Sequence, residues 1–466
     1  LINHPLDCPI CDQGGECELQ DVSLGYGRSV SRFNERKRTV ADENLGPLIA
    51  TEMTRCIQCT RCVRFTSEIA GTYELGGMSR GENLEIGTYI GKTIESELSG
   101  NIIDVCPVGA LTNKPFQFQA RAWELIARPS IGYHDALGSN LWMHTRRGEV
   151  LRNVPRDNET INECWLSDRD RYSHQGLYSA DRVKSPMVKR NGQWSATTWD
   201  DALSVARESL KSVPGSDLGV LVHGATSNEE GELLVRLARG LGSAHVDHRL
   251  RQLDFADNAF AKPFASSIAS FEKVKAALLV GSDLRHEVPL LNHRIRQAVK
   301  KGAKVYAVNP AHFNFNYPLA GESVAAPHAL VNELLVLAKA AAEGGASVPE
   351  AIAPALNGVE TTDAHRDAFK ALSDEAVVIL GHAAATHPEA SWLRTIARFI
   401  AQAAGAAFNE IPLAANAIGL SSVGVLPTAG GLDARAMLAQ PRKGYVLYNV
   451  EPPHDFADGA LALQAM

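Results

Sequence analysis

Short apolar runs alternate with helix-like stretches through the second half of the chain. Each run is short enough to form a buried strand, and between the runs apolar residues recur at helical spacing. The predicted strands are 218–222, 276–280, 304–308, 376–380 and 444–449, and the predicted helices are 229–241, 289–301 and 389–404. Alternation of this kind predicts parallel sheets with helices on both faces. The sequence beyond residue 199 therefore predicts an α/β domain.

The first half of the chain shows weaker periodicity. Residues 132–152 alternate apolar and polar positions, which predicts a small antiparallel sheet. Short helices are predicted at residues 18–22 and 63–69, and short elements between glycine turns at 85–90 and 93–95. The polar residues 32–44 indicate a solvated connector. This half is expected to consist of small, turn-rich domains.

Composition narrows the function classes. The chain has 466 residues, 45% of them hydrophobic and 21% charged, which supports several globular domains. Its net charge of −7 is spread along the sequence, so no basic surface for nucleic acid is expected. No apolar run reaches the roughly 18 to 20 residues that span a bilayer, so we expect no direct membrane insertion.

Seven of the eight cysteines fall into two groups. One group is Cys8, Cys11 and Cys17, with His4 as a candidate fourth ligand, and the other is Cys56, Cys59, Cys62 and the remote Cys106. One loop can supply three corners of a cubane iron-sulfur cluster while a distant residue supplies the fourth. The spacing therefore predicts an electron carrier.

Other uses of the same thiols remain open from spacing. Disulfides are disfavoured because the two-residue spacings are typical of metal sites and the chain is not a short secreted scaffold. Zinc also binds Cys-x2-Cys pairs, but a continuous triple with a remote cysteine before Pro107 is ferredoxin-like. His4 is favoured because a cubane needs a fourth ligand, although spacing leaves Cys164 as an alternative. Arg55, Arg61 and Arg64 either stabilise a reduced cluster or form surface pairs.

Three stretches carry a family resemblance: Asn3 to Gln20, Arg55 to Phe65 and Ser96 to Leu111. They resemble the large iron-sulfur subunit of bacterial NADH:quinone oxidoreductase, respiratory complex I. The resemblance implies two [4Fe-4S] clusters and no catalytic residues in this chain. The ligands it implies are His4, Cys8, Cys11 and Cys17 for one cluster, and Cys56, Cys59, Cys62 and Cys106 for the other.

The resemblance also implies a domain order. We expect small ferredoxin-like iron-sulfur domains followed by a truncated α/β domain that resembles molybdopterin oxidoreductases. The expected boundaries are 1–28 for the His/Cys3 domain, 29–125 for the ferredoxin-like domain, 126–181 for an iron-sulfur subdomain without a cluster, and 182–466 for the α/β domain. Ser167 stands where cluster-bearing relatives have cysteine, so no third cluster is predicted.

The family context supplies the remaining expectations. The relatives carry an N-terminal [2Fe-2S] domain and further C-terminal sequence, so the chain, which starts at Leu1, is expected to be a fragment. Electrons are expected to pass from a flavin- and NADH-binding partner toward quinone-side iron-sulfur subunits. Proton translocation in the whole oxidoreductase would be coupled to this flow, at the cytoplasmic side of the bacterial inner membrane. No molybdenum cofactor is expected.

Three alternatives differ from this interpretation. A molybdenum-dependent, NAD-linked formate dehydrogenase shares the His/Cys3 opening but carries more cluster cysteines, whereas this chain has none after Cys164. Iron-only hydrogenases also need additional cysteines. A structural zinc module does not explain eight ligands in two fourfold sets.

Overall fold

The computed structural model describes residues 1–372 and 375–466, and the first 125 form a region of short elements. Two antiparallel strand pairs, β1 with β4 and β2 with β3, lie among short helices. The elements are α1 (Glu18–Tyr26), β1 (Ile49–Thr51), α2 (Arg61–Arg64), a π-helix (Phe65–Ala70), β2 (Gly76–Met78), β3 (Glu85–Gly87), α3 (Asn101–Val105) and β4 (Leu111–Asn113). Cysteines therefore sit in loops and at helix ends rather than in a regular sheet.

Two predicted helices of this region are confirmed. The helix near residues 18–22 extends to Tyr26, and the one after the cysteine triple continues from α2 into the π-helix, a rare form often found at functional sites. The prediction of a regular element at residues 93–95 is wrong, since the structure has neither helix nor strand there. There the Glu95 amide donates to the Glu74 carboxylate at 2.7 Å, so a side chain takes the place of a strand partner.

The predicted small antiparallel sheet is confirmed, with three strands in the order β5, β6, β7, but its first strand lies before the predicted range 132–152. A short helix follows it, and then a hairpin and a longer helix lead into the α/β domain. The bounds are β5 (Ile126–Ile131), β6 (Asn140–Arg146), β7 (Glu149–Pro155), α4 (Asp168–Tyr172), β8 (Met187–Arg190), β9 (Gln193–Ala196) and α5 (Trp199–Ser212).

The rest of the chain forms two parallel sheets with helices, as predicted. The three-stranded sheet has the order β11, β10, β17, and the five-stranded sheet has the order β14, β13, β12, β15, β16. The strands are β10 (Leu218–Val222), β11 (His245–Asp247), β12 (Ala276–Val280), β13 (Lys304–Asn309), β14 (Gly321–Val324), β15 (Ala376–Leu380), β16 (Ala407–Glu410) and β17 (Gly444–Tyr448). Of these, β11, β14 and β16 were not predicted, because they are short and only partly apolar.

Helices cover these sheets. The three predicted helices are confirmed to within one residue at each end, as α6, α8 and α12. The set is α6 (Asn228–Gly240), α7 (Leu284–Glu287), α8 (Pro289–Lys300), α9 (Leu330–Glu343), α10 (Asp363–Ala371), α11 (His382–Ala385), α12 (Ala390–Ala404), α13 (Ala417–Ser422), α14 (Ala434–Ala439), α15 (Pro452–Asp455) and α16 (Gly459–Ala465). Among the helices of the described residues, none is both long and apolar enough to cross a membrane.

Strand β12 joins the α/β domain to the cysteine-bearing region. All five of its residues are buried, and successive side chains point to opposite faces. Ala276, Leu278 and Val280 face a core formed with α9 and α12. Ala277 and Leu279 belong instead to a core that also contains Cys17, Cys62 and Cys106. The cysteine-bearing region thus shares its hydrophobic core with the α/β domain.

Candidate metal centres

The four cysteines of the second set line a single cavity, and the rest of its wall is mainly apolar. Cys62 lies in α2 and Cys106 directly follows α3, while Cys56 and Cys59 come from the loop before α2. The lining residues are Met53, Cys56, Ile57, Cys59, Thr60, Cys62, Ile86, Cys106, Pro107, Val108, Ala110 and Leu111. The structure therefore brings together all four thiols that the spacing grouped.

The loop of this set is wound tightly by two residues with left-handed backbone conformation. Gln58 has φ of 54° and Thr60 has φ of 60°, a region that non-glycine residues seldom adopt. The Gln58 amide donates to the Cys56 sulfur at 3.4 Å. Such strain is typical of ligand-binding loops, where the constrained backbone directs several side chains to the same site.

Burial controls the protonation of three thiols of this set. It raises the pKa of Cys62 to about 12 and that of Cys106 to about 11, and it also raises the pKa of Cys56. Metal-free thiols at these positions are neutral at physiological pH, so binding a metal must release their protons. Four thiol donors in a small, mainly apolar pocket, with no carboxylate among the lining residues, fit an iron-sulfur cluster.

The first set lies against the same turn that carries Cys106. Cys11 and Cys17 are buried, whereas Cys8 is exposed. The Cys17 sulfur is 3.6 Å from the Pro107 carbonyl oxygen. A Cβ atom at Gly109 would lie 2.1 Å from the Cys11 sulfur, so only glycine fits there. The turn of residues 106–109 therefore touches both sets and makes them neighbours.

The structure fixes one nitrogen of the His4 ring. Nδ1 lies 2.9 Å from the carbonyl oxygen of Arg55, the residue directly before Cys56. Burial lowers the pKa of His4, and the Lys37 ammonium, which donates to the His4 carbonyl at 2.5 Å, lowers it further. A neutral ring that donates through Nδ1 presents Nε2 as a metal ligand, the arrangement found in many histidine sites.

Charged side chains from distant positions hold the first set. Arg55 is buried and donates through Nε to Asp7 at 3.1 Å. Arg152, in β7, bonds both oxygens of Glu16 at 2.7 and 2.6 Å, and Arg121 donates to the Cys11 carbonyl at 2.5 Å. No sequence pattern pointed to Arg121, Arg152 or Lys37, because they lie 33 to 136 residues from their partners. The polar connector predicted as solvated also contacts this site through Lys37.

The three arginines beside the triple differ from one another. Arg55 is buried against the first set, whereas Arg61 forms an exposed ion pair with Glu18 at 2.7 Å. Arg64 is exposed. Surface pairing thus describes Arg61, while Arg55 lies between the two sets.

Cys164 lies in a different environment. The residue is exposed at the surface, but partial burial of its thiol, followed by the nearby acidic residues Asp157, Glu163 and Glu159, raises its pKa. All eight cysteines are free thiols. Within the described ranges, no three His, Cys, Asp or Glu side chains converge closely enough to hold a single ion. The thiols instead surround a shared volume in the second set.

A separate cleft of about 500 Å³ opens at the carboxyl ends of β10, β11 and β16. It is lined by residues such as His223, Arg249 and Glu410, and no cysteine lines it. Ligands of open parallel sheets bind at this edge. Its lining supplies no thiol that could extend the two cysteine sets.

Family models match four parts of the chain. Residues 1–32 match the NADH-ubiquinone oxidoreductase-G iron-sulfur binding region, and 46–112 match the ferredoxin-like domain of NADH-quinone oxidoreductase subunit 3. Residues 127–175 match the NDSU1/NuoG-like 4Fe-4S domain of NADH-ubiquinone oxidoreductase, and 182–465 match the molybdopterin oxidoreductase model. The chain therefore contains 4Fe-4S binding domains ahead of a molybdopterin oxidoreductase domain.

Curated relatives match about two thirds of the chain. The G subunit of NADH-quinone oxidoreductase from Rickettsia felis is 46% identical over 316 residues, which cover 67% of this chain and 47% of the relative. The NADH-ubiquinone oxidoreductase 75 kDa subunit of Reclinomonas americana is 45% identical over 336 residues, covering 68% and 48%. The mitochondrial NADH dehydrogenase [ubiquinone] iron-sulfur protein 1 of Solanum tuberosum is 46% identical over 321 residues, covering 68% and 43%. The chain spans about half the length of these relatives.

Proposed function

Because the chain belongs to the molybdopterin oxidoreductase family and is a homologue of the G subunit of NADH-quinone oxidoreductase, we propose that it relays single electrons through two [4Fe-4S] clusters. The observation that carries this proposal is the turn of residues 106–109, which supplies one thiol to the second set and contacts two thiols of the first. Two fourfold ligand sets that share a turn suit a relay, because neighbouring centres can exchange electrons directly. The chain itself performs no substrate chemistry.

The ligand assignment follows the two sets. His4, Cys8, Cys11 and Cys17 would hold one cluster, and Cys56, Cys59, Cys62 and Cys106 would hold the other. Each cluster, when bound, supplies a site that accepts and releases one electron. The protein contributes thiolates, a histidine whose Nδ1 is hydrogen-bonded to the Arg55 carbonyl, and a mainly apolar wall around the second set. A dry, fixed environment tunes the potential and limits reorganisation when charge moves.

The wider context is part of the proposal. The names of the relatives place them in NADH-quinone and NADH-ubiquinone oxidoreductases. We propose that electrons enter from a flavin- and NADH-binding partner, leave toward quinone-side iron-sulfur subunits, and support proton translocation by the whole enzyme. A peripheral position on the cytoplasmic side of the bacterial inner membrane fits that role.

Domain boundaries near residues 28, 125 and 181 are supported by the limits of the four matching family models. Residues 126–181 are proposed to carry no cluster, since Cys164 is their single cysteine. A molybdenum formate dehydrogenase is not favoured, because the relatives carry a different activity in their names and no cysteine follows Cys164. We expect no molybdenum cofactor.

Anaerobic reconstitution of the chain with iron and sulfide tests the relay. We expect about eight iron and eight sulfide per chain, and two distinct EPR signals after reduction. His4→Ala should alter one signal and Cys59→Ala the other. Stoichiometric zinc without reducible iron would overturn the proposal, and clearly more than about eight iron would overturn the absence of a third cluster.

A further inference from the structure

Side chains from the α/β domain bond the carboxyl end of the helix that carries Cys62. Helix α2 and the π-helix form one continuous segment, and the last four carbonyls of such a segment have no partner within it. Four consecutive carbonyls, at positions 67 to 70, are bonded by side chains 224 to 246 residues further along the chain. The pairs are Arg296 Nη2 with Ser67 O at 2.7 Å, Arg296 Nη1 with Glu68 O, Gln297 Nε2 with Glu68 O at 3.3 Å, His293 Nδ1 with Ile69 O at 3.2 Å, and Asn316 Nδ2 with Ala70 O at 3.1 Å.

Arg296 is the centre of this cap. It is 5% exposed and bonds two of the four carbonyls. A Cβ atom at Gly71 would lie 2.2 Å from Arg296 Nε, and Gly71 has φ of +76°, so glycine both ends the helix and makes room for the guanidinium. A cation at a helix carboxyl end is also favoured by the helix dipole. Removing this buried side chain would leave the Ser67 carbonyl without its partner and the Glu68 carbonyl with Gln297 alone.

The other end of this helix reaches the second ligand set. Cys62 is its second residue, and Phe65, one turn on, is buried in the core that contains Cys106. Leu291 and Ile295 of α8, the helix that carries Arg296, belong to the same core. The segment therefore reaches the thiol-lined cavity at one end and is bonded by side chains of α8 at the other.

We infer that Arg296 is a positioning residue for Cys62, so that the α/β domain holds one ligand of the second metal centre in place through a cap on the ligand's helix. This inference rests on the proposed function for the identity of the bound group. The α/β domain would then set the position of a cluster ligand, in addition to serving as a scaffold. Arg296 itself touches no thiol of the set and acts through the helix.

The first test compares buried arginines on one helix. Arg296→Gln removes the guanidinium from the cap, Arg296→Lys keeps the charge with fewer donors, and Arg294→Gln is the matched control. Arg294 is 4% exposed and lies on α8, but it bonds the Glu163 carboxylate and the Glu159 carbonyl instead. In the reconstituted chain we expect Arg296→Gln to shift the EPR signal and midpoint potential of the second cluster only. Arg296→Lys should restore part of the change, and Arg294→Gln should leave that signal unaltered. An unchanged second signal in Arg296→Gln, or an equal change in Arg294→Gln, overturns the inference.

The second test needs no cluster. Cys62 in the metal-free chain is alkylated with iodoacetamide and the product is followed by mass spectrometry. The rate reports how often the helix leaves its packed position and exposes the Cys62 thiol. We expect Cys62 to react on the order of tenfold faster in Arg296→Gln than in wild type or Arg294→Gln, given the strength of hydrogen bonds to charged groups. Cys17 serves as the internal reference. Equal Cys62 rates in the two variants overturn the inference, whereas failure of the wild type to bind two clusters overturns only the proposed function.

Discussion

The two ligand sets lie side by side but are held in different ways. The second set is built around one cavity, with two of its thiols on a strained loop, a third on the helix that follows, and none of the four exposed. The first set is open at Cys8, and it is held by charged side chains brought from the connector, from the turn after Ala120 and from β7. Local sequence thus groups three ligands of the second set, whereas the first set depends on charged contacts from distant positions.

The sharpest way to test this difference is to remove one ligand from each set. Cys62→Ser places a hydroxyl in the buried cavity and removes a core side chain, so we expect loss of the second cluster and a clear fall in Tm. Cys8→Ser changes an exposed position, so we expect loss of the first cluster with Tm of the metal-free chain nearly unchanged. Iron analysis and thermal melts of both variants check this. Equal falls in Tm would contradict the contrast.

Gly109→Ala should disturb the first set while sparing the second. The added methyl group would overlap the Cys11 sulfur. The Cys106 thiol instead donates a hydrogen bond to the Val108 carbonyl oxygen and is not among the atoms nearest to that methyl group. We expect iron to fall from about eight to about four per chain, with the EPR signal that depends on Cys59 retained. Gly76→Ala is a control, since a Cβ atom at Gly76 would meet open space and Gly76, like Gly109, has no left-handed backbone conformation. Loss of both signals in Gly109→Ala would show that the shared turn acts as one unit.

Arg152→Gln tests whether distant contacts hold the first set. Its guanidinium bonds Glu16 through both Nη atoms, donates through Nε to His144 Nδ1 at 3.0 Å and lies over Phe116. Losing a largely buried partner of this kind should cost about 2–3 kcal/mol of local stability, since Glu16 keeps access to solvent. Hydrogen exchange of residues 1–28 should accelerate, and a chelator should remove iron from the first set faster than from the second. Arg190→Gln, which breaks an exposed pair with Asp201, should change neither rate.

His144 supplies a pH test of the same contact. Burial, and then the Arg152 charge, lower the pKa of His144 to about 4, below the value near 6.5 expected when unfolded. The folded chain then binds fewer protons than the unfolded chain between pH 6.5 and 4, so this group's stabilisation is lost as pH falls through that window. With partial exposure taken into account, we expect a loss on the order of 1 kcal/mol between pH 7 and pH 5. Urea unfolding at both pH values should show a smaller loss in His144→Gln than in wild type. An equal loss would show that His144 does not carry the effect.

These contrasts explain what the sequence could predict. The parallel strands 218–222, 276–280 and 376–380 were predicted with their bounds, because a strand buried on both faces is a continuous apolar run. The cysteine spacing grouped the second set because a short loop brings near neighbours together. Arg152 and Arg296 carried no such signal. Their partners are fixed by the packing of separate domains, and an arginine in an amphipathic helix or edge strand looks like any surface residue.

The smallest effect is expected at Arg61, for which the sequence left cluster tuning and surface pairing equally open. Its bond to Glu18 joins the two sets across solvent, with the Arg61 and Glu18 side chains 41% and 62% exposed. Pairs of this kind contribute roughly 0–1 kcal/mol and are screened by salt. Arg61→Gln should therefore leave iron content unchanged and shift the midpoint potential of the second cluster only at low ionic strength. A shift that persists at about 1 M salt, where charges interact over about 3 Å, would mean that Arg61 acts on the cluster through the protein interior.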